Sequence, residues 1–250
     1  MNLMNKKKLF LSKFYKLFKN NHNSFRTLMY HSIFDERKTI TEKNLWSLSL
    51  SLFKDQITEI EKYQKIFSTN VLVRDCPQKG IALTFDDGYV DTYEIAAQHL
   101  IEKKIPFTVF IITNFVKNNK KGYMTEAMIK ELSENELVTI GSHSMNHLKL
   151  TELNDDLVRN EITRSKLYLE DLTSQEITSL SYPHGKYNNK IKAIVHDVGY
   201  KLAFSSNFNC NKKNENKFSL SRTEIWNSDS LEIFNQKLLG NWDWMQYRLI

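Results

Sequence analysis

Cysteine is nearly absent. Cys76 and Cys210 are the two thiols in 250 residues, and nothing near either has the short spacing of a metal-binding pair. That excludes a disulfide framework and a cysteine-held zinc site. Glycine is scarce as well, with seven in the chain, and no glycine-rich phosphate loop follows any strand-like stretch, which counts against an open nucleotide-binding sheet. Long apolar runs are missing, so no window approaches a membrane-spanning helix. The short apolar stretch Leu9 to Leu11 is interrupted downstream by Lys13, Lys16 and Lys19, with no small-residue cleavage pattern after it. A secretory signal is therefore not expected, and the chain reads as cytoplasmic.

Acidic residues are missing from one place in particular. Residues 1 to 26 carry Lys6, Lys7, Lys8, Lys13, Lys16, Lys19 and Arg26 and no carboxylate, which accounts for much of the formal charge of +6. Within 1–25, Leu3, Phe10, Leu11, Phe14, Tyr15, Leu17 and Phe18 form an apolar stripe at helical spacing opposite the lysines. Such a basic amphipathic segment either makes a peripheral contact with the inner face of the membrane through residues 1–20 or packs on the folded domain. The basic balance alone does not imply a nucleic-acid partner, since no nucleic-acid-binding motif accompanies it.

From residue 26 to 250 the chain reads as one domain, of a size to bury one core. Strand-like and helix-like stretches alternate, the pattern of an α/β fold with a parallel sheet. Strands are expected at Arg26 to Ile33, Gly80 to Phe85, Phe107 to Thr113, Leu137 to Gly141, Ile177 to Tyr182, Lys201 to Ser205 and Phe218 to Ile225. Helices are expected near Leu48 to Phe67, Asp91 to Lys103 with Asp91 as cap, Thr125 to Ser133, Leu153 to Leu172, Tyr187 to Val198 and Leu231 to Leu239. About seven strands alternating with helices suit a closed barrel with its chemistry at the C-terminal strand ends.

Three of those strand ends carry reactive groups. Thr84-Phe85-Asp86-Asp87-Gly88 places two carboxylates together after an apolar strand, which is costly unless a cation compensates them. It is also an ordinary turn sequence before a helix. Ser142-His143-Ser144-Met145-Asn146-His147 follows the next strand but one; a helical turn there would put both imidazoles on one face. Two histidines and one carboxylate leave a position open for water, as in catalytic zinc sites. Ser181-Tyr182-Pro183-His184-Gly185 is a tight turn that can aim a backbone N–H at a developing oxyanion.

In the order and spacing of TFDDG, S-H-S-x-x-H and Y-P-x-G, the sequence resembles the polysaccharide deacetylases, also called carbohydrate esterase family 4 or the NodB homology domain. The resemblance runs from about Arg26 to Leu239. It implies a distorted (β/α) barrel of about seven strands, a divalent metal, most often zinc, and removal of N-acetyl groups from N-acetylhexosamine units of a polysaccharide or glycolipid. By the same resemblance Asp86 is the general base, Asp87, His143 and His147 are metal ligands, and Tyr182, Pro183 and Gly185 line the acetyl site. Met29-Tyr30-His31-Ser32 is similar to a Y-H element of many bacterial members.

Two departures stand out. Family members often carry an arginine two residues before the proline, where it orients the catalytic aspartate; here that residue is Ser181, and Arg222 is the candidate to bring the charge, or to contact substrate, from another strand. Many members also have a late histidine as general acid, and no histidine follows His196. His31 and His184 are the remaining candidates, His31 ahead for its place in the Y-H element. These departures keep two other readings open: a catalytically inert glycan-binding barrel, and a hydrolase of O-acetyl esters or non-sugar amides.

Overall fold

A computed structural model describes residues 11–12, 15, 24–37 and 45–247. Most of the expected amphipathic helix over 1–20 lies outside the described residues. Nine strands are present among them: β1 (Phe25–Tyr30), β2 (Ser32–Phe34), β3 (Ser47–Ser49), β4 (Gly80–Phe85), β5 (Phe107–Ile111), β6 (Val138–Ser142), β7 (Ser179–Ser181), β8 (Leu202–Phe204) and β9 (Thr223–Glu224). Seven of these form one sheet in the order β8-β7-β6-β5-β4-β1-β9, and every pairing in it is parallel.

The sheet is curled, and one segment links its ends. Leu220 N–H donates to Ala203 O and Ser205 N–H to Leu220 O on the β8 side, and five residues later Ile225 N–H donates to Met29 O of β1. The strand expected over Phe218 to Ile225 is therefore not one strand. It is a short crossing piece that serves β8 first and β1 afterwards, and only Thr223–Glu224 pairs as a regular strand.

The period of two along β4 sorts its side chains. Ile81, Leu83 and Phe85 join the larger core beneath the helices, while Ala82 packs inside the curl with Phe110, Leu202 and Phe204. Thr84 follows on that inner face, and Asp86 continues it one step past the strand end, which is why a carboxylate there is buried. Helices cover the outside: Leu50–Tyr63, Thr92–Ala97 running as a π-turn into Gln98–Glu102, Glu126–Ser133, Asp155–Thr173, Asn189–Asp197 and Leu231–Leu238. Several start on a side-chain cap, as where the Asn154 side chain accepts from Leu157 N–H and that of Ser230 from Ile233 N–H. Among the described residues no helix is long and apolar enough to cross a membrane.

Two expectations need correction. The strand expected over Arg26 to Ile33 breaks at His31: the last rung against β4 is Tyr30 to Phe85, and β2 pairs with β3 in a separate two-stranded sheet. Asp91 precedes the next helix, but its side chain makes no capping bond; it accepts from Ser32 Oγ at 2.5 Å instead, tying β2 to that helix. Cys76 and Cys210 are free thiols.

Close packing of β5 against β6 can be tested directly. A Cβ on Gly141 would stand 2.5 Å from the Phe110 ring and 2.8 Å from Ser179 Oγ. Gly141→Ala is expected to cost about 1–3 kcal/mol, as overpacked cores do, read as a lower midpoint of denaturant unfolding. An unchanged midpoint would mean that the strands separate freely.

Candidate active site

Backbone geometry at the end of β4 decides what the two aspartates do. Asp86 N–H donates to Tyr30 O at 3.0 Å, so the chain is still paired with β1 there. Asp87 then turns into the left-handed region (φ 74°), and Gly88 follows at φ 75°. Asp tolerates that conformation better than most residues, and Gly accepts it without strain. The turn sends the two carboxylates apart: Asp86 into the curl, Asp87 toward the mouth.

Asp86 meets Arg222. The guanidinium makes a bidentate pair with it, Nη1 to Oδ1 at 2.7 Å and Nη2 to Oδ2 at 2.8 Å, with both side chains buried. Ser181 Oγ donates to Asp86 Oδ2 at 3.1 Å and accepts from Arg222 Nη2 at 2.8 Å. Arg222 Nε donates to Ser205 O at 2.9 Å, and its carbon lies over the Phe110 ring. Burial alone would raise the Asp86 pKa. The charge of Arg222, helped by those of His143 and His31, outweighs it and holds the carboxyl well below the usual range. Arg222 was expected either to serve Asp86 or to contact substrate. Its guanidinium is committed to Asp86, Ser181 and Ser205, which leaves the pairing role.

Asp87 meets the histidines. Its Oδ1 is 3.4 Å from His143 Nε2 and 3.6 Å from His147 Nε2. These three are the group of ligand atoms, among the described residues, that could hold a metal ion, all within 4.8 Å of one another. Donors bound to one tetrahedral zinc at about 2.0–2.1 Å stand roughly 3.3–3.5 Å apart, so the spacing fits. His143 Nδ1 lies 2.8 Å from Ser181 O; a proton on Nδ1 satisfies that carbonyl and leaves the Nε2 lone pair facing Asp87. Burial and the neighbouring His143 push His147 down to about 4, so it is neutral at neutral pH. His143 is raised: burial works against the proton, but Asp86 and Asp87 outweigh it.

The expected helical turn over Ser142 to His147 does not form. The segment is a bend with Ser144 (φ 62°) and His147 (φ 58°) in the left-handed region. Such residues cost about 1 kcal/mol or more each and persist only where their surroundings hold them. Here the hold is specific. Thr113 and Asn114 N–H donate to the Ser144 and Met145 carbonyls, and Ser144 Oγ accepts from His147 N–H at 3.1 Å. Glu161, buried on the helix Asp155–Thr173, accepts from Asn146 N–H at 2.9 Å and from its side-chain amide at 2.5 Å, and Asn114 donates to Asn146 Oδ1. Glu161 was missed by the sequence reading. Its signal was available: it shares a buried helical stripe with Val158, Ile162, Ser165 and Leu169, where an acid needs a partner.

These groups open into a cavity of about 550 Å³ whose lining includes His31, Asp86, Asp87, His143, His147 and His184. His31 is half-buried, its ring 5.7 Å from that of Trp46, and its Nδ1 is buried without a hydrogen-bond partner. His184 is exposed, its ring 4.5 Å from that of His147, with Nε2 at 3.3 Å from His147 O. Gly185 lines the cavity, whereas Pro183 is buried in the turn. Tyr182 also reaches the lining, but its hydroxyl donates to Phe218 O at 2.9 Å and its backbone N–H to Phe204 O at 3.0 Å. Trp46, whose indole N–H donates to Glu224, and the pair Tyr89 and Tyr123 complete the walls and were not foreseen.

The family model for polysaccharide deacetylases matches residues 74–203. The chain belongs to that family. It is similar to the putative polysaccharide deacetylase YxkH of Bacillus subtilis (strain 168), 28% identical over 148 residues, covering 59% of this chain and 52% of that protein. It is also similar to a poly-beta-1,6-N-acetyl-D-glucosamine N-deacetylase of Staphylococcus aureus (strain MRSA252), 26% identical over 91% of this chain and 86% of the relative. Among solved structures, the Streptococcus pyogenes deacetylase PplD in complex with acetate superposes with a TM-score of 0.77 at 26% identity, covering 86% of this chain and 98% of that one. The chain thus spans about half the length of YxkH and most of the length of the other two.

Removing one partner of a buried ion pair strands the other charge. Arg222→Met is therefore expected to destabilise the fold by about 3–5 kcal/mol, measured by denaturant unfolding. Adding Asp86→Asn in the same chain is expected to restore much of that loss. A double variant no more stable than Arg222→Met would show that the pair is not what holds the two segments together.

Proposed function

We propose that this protein is a metal-dependent hydrolase that removes N-acetyl groups from N-acetylhexosamine units of a polysaccharide or glycolipid. The observation that carries the reading is the convergence of Asp87, His143 and His147 beside a second carboxylate, Asp86, which Arg222 holds well below the usual carboxylate range. The likeness to the Staphylococcus aureus poly-beta-1,6-N-acetyl-D-glucosamine N-deacetylase supports the substrate class. One carboxylate and two imidazoles suit zinc, whereas magnesium and calcium take mainly oxygen ligands. A zinc ion held by Asp87, His143 and His147 would polarise the acetyl carbonyl and lower the pKa of a water molecule.

The chain's own groups do the rest. Asp86 acts as general base: Arg222 keeps it ionised, and its Oδ1 keeps a lone pair beyond the Arg222 fork, whereas Oδ2 also accepts from Ser181 Oγ. Within the Tyr182 to Gly185 turn, the Tyr182 N–H goes to Phe204 O, the Gly185 N–H to Tyr182 O, and Pro183 has none. His184 N–H is the donor left to meet the oxyanion. His31 is the proton donor to the departing amine, with His184 in reserve. Ser181 at the family's arginine position suggested an inert barrel; Arg222 reaching Asp86 from the crossing segment takes that reason away.

The test is acetate release from N-acetylglucosamine oligomers with added zinc or cobalt, with an O-acetylated sugar assayed alongside to separate amide from ester hydrolysis. Asp87→Ala is expected to abolish both metal uptake and turnover; turnover surviving in that protein overturns the metal assignment. Glu161→Gln replaces an acceptor facing the Asn146 amide with a donor. It is expected to weaken zinc binding by about 10- to 100-fold, the range for groups that orient ligands, in chelator competition. Unchanged affinity would mean that the bend needs no brace from that helix.

A further inference from the structure

One wall of the cavity carries an ammonium group that has, among the described residues, no acid within ion-pair distance. Lys120 lines the cavity, its Nζ 3.5 Å from the Phe115 ring centroid and 4.9 Å from that of Tyr123. Among the described residues neither Lys120 nor its neighbours Lys117, at the end of the helix Thr113–Lys117, and Lys121, all three exposed, has a carboxylate within ion-pair distance. The loop is firmly mounted. Lys120 N–H donates to Phe115 O at 2.8 Å, Tyr123 N–H to Lys120 O at 3.2 Å, Val90 N–H to Gly122 O at 3.0 Å and Met124 N–H to Gly88 O at 2.9 Å. The Tyr89 and Tyr123 rings stack at 5.0 Å across an antiparallel bridge. Position 120 is thereby fixed relative to Gly88, the residue after Asp87.

A lysine normally loses much side-chain freedom when it is ordered. Here two rings flank the ammonium, which offsets part of that cost before any ligand arrives. The carboxylates that line the cavity have other partners: Asp86 pairs with Arg222, Asp87 faces His143 and His147, and Glu224 accepts from Trp46. We infer that Lys120, backed by Lys117 and Lys121, forms a subsite for an oxyanion, a carboxylate or a phosphate, on the glycan residue next to the one that loses its acetyl group. This rests on the deacetylase reading and narrows it to an anionic glycan.

Three oligomers serve as probes: alternating N-acetylglucosamine and a lactyl-bearing muramic-type sugar, the same oligomer with its carboxylates converted to methylamides, and N-acetylglucosamine carrying glycerol phosphate. The wild-type protein is expected to turn over one or both charged forms with kcat/KM about tenfold above the neutral form, the factor that about 1.4 kcal/mol corresponds to. That preference shrinks as salt is added. Whichever charged form is preferred identifies the oxyanion. Lys120→Met brings the charged-to-neutral ratio to about one, and Lys120→Arg, which keeps both charge and ring contact, preserves it. Equal handling of charged and neutral oligomers by the wild type, or a preference that survives in Lys120→Met, overturns the subsite. Calorimetric affinities for the same oligomers read the preference independently of turnover. Failure to release acetate from any of them would therefore strike the deacetylase reading and leave the subsite to be judged on binding.

Discussion

Two neighbouring carboxylates cannot share one buried environment without one of them taking up a proton. The structure resolves this at Asp86 and Asp87 by a change of backbone hand between them. Asp86 stays in register with the inner face of β4 and finds a guanidinium; Asp87 turns outward and finds two imidazoles. Everything else at the site follows from that parting. The curl of the sheet brings Arg222 within reach, the bend after β6 supplies His143 and His147, and the last residue of β7 supplies the carbonyl that orients His143. The electrostatic result is a fixed pair, Asp86 with Arg222, beside an acidic corner suited to a cation.

Ser181 shows how closely the two halves interlock. Its hydroxyl stands between Asp86 and Arg222 and bonds to both, while its carbonyl faces His143 Nδ1. One residue thus touches Asp86, the counter-ion of Asp86 and a candidate metal ligand. A long side chain there would displace either the guanidinium or the imidazole, so a small hydroxyl at this position and an arginine on the crossing segment are complementary choices.

Much of this was legible in the chain itself. Strands β4, β5 and β6 are apolar runs with sharp ends, and their boundaries fell within a residue or two of expectation because burial on both faces leaves little ambiguity. The acidic pair and both histidines were legible as types of residue at strand ends. Their geometry was not. Spacing of i, i+4 suggested a helical turn for His143 and His147, yet the bend depends on hydrogen bonds from Glu161 and Asn114, which lie elsewhere in sequence. The double duty of Leu220 to Ile225 was likewise invisible, because an apolar stretch does not say that its partner changes midway. Asp91 looked like a cap, and only the fold shows that Ser32 claims it.

The source of the guanidinium has a further consequence. Arg222 belongs to the short crossing piece, which is held to β8 and to β1 by a handful of backbone bonds, whereas Asp87, His143 and His147 follow directly on the central strands β4 and β6. Local opening generally begins where few bonds hold a segment. If the crossing piece lifts, Asp86 loses its counter-ion while Asp87, His143 and His147 stay assembled. On the proposed reading the chain would then pass through a species that still takes up metal and turns over nothing, so metal content and activity would part company before the sheet itself melts.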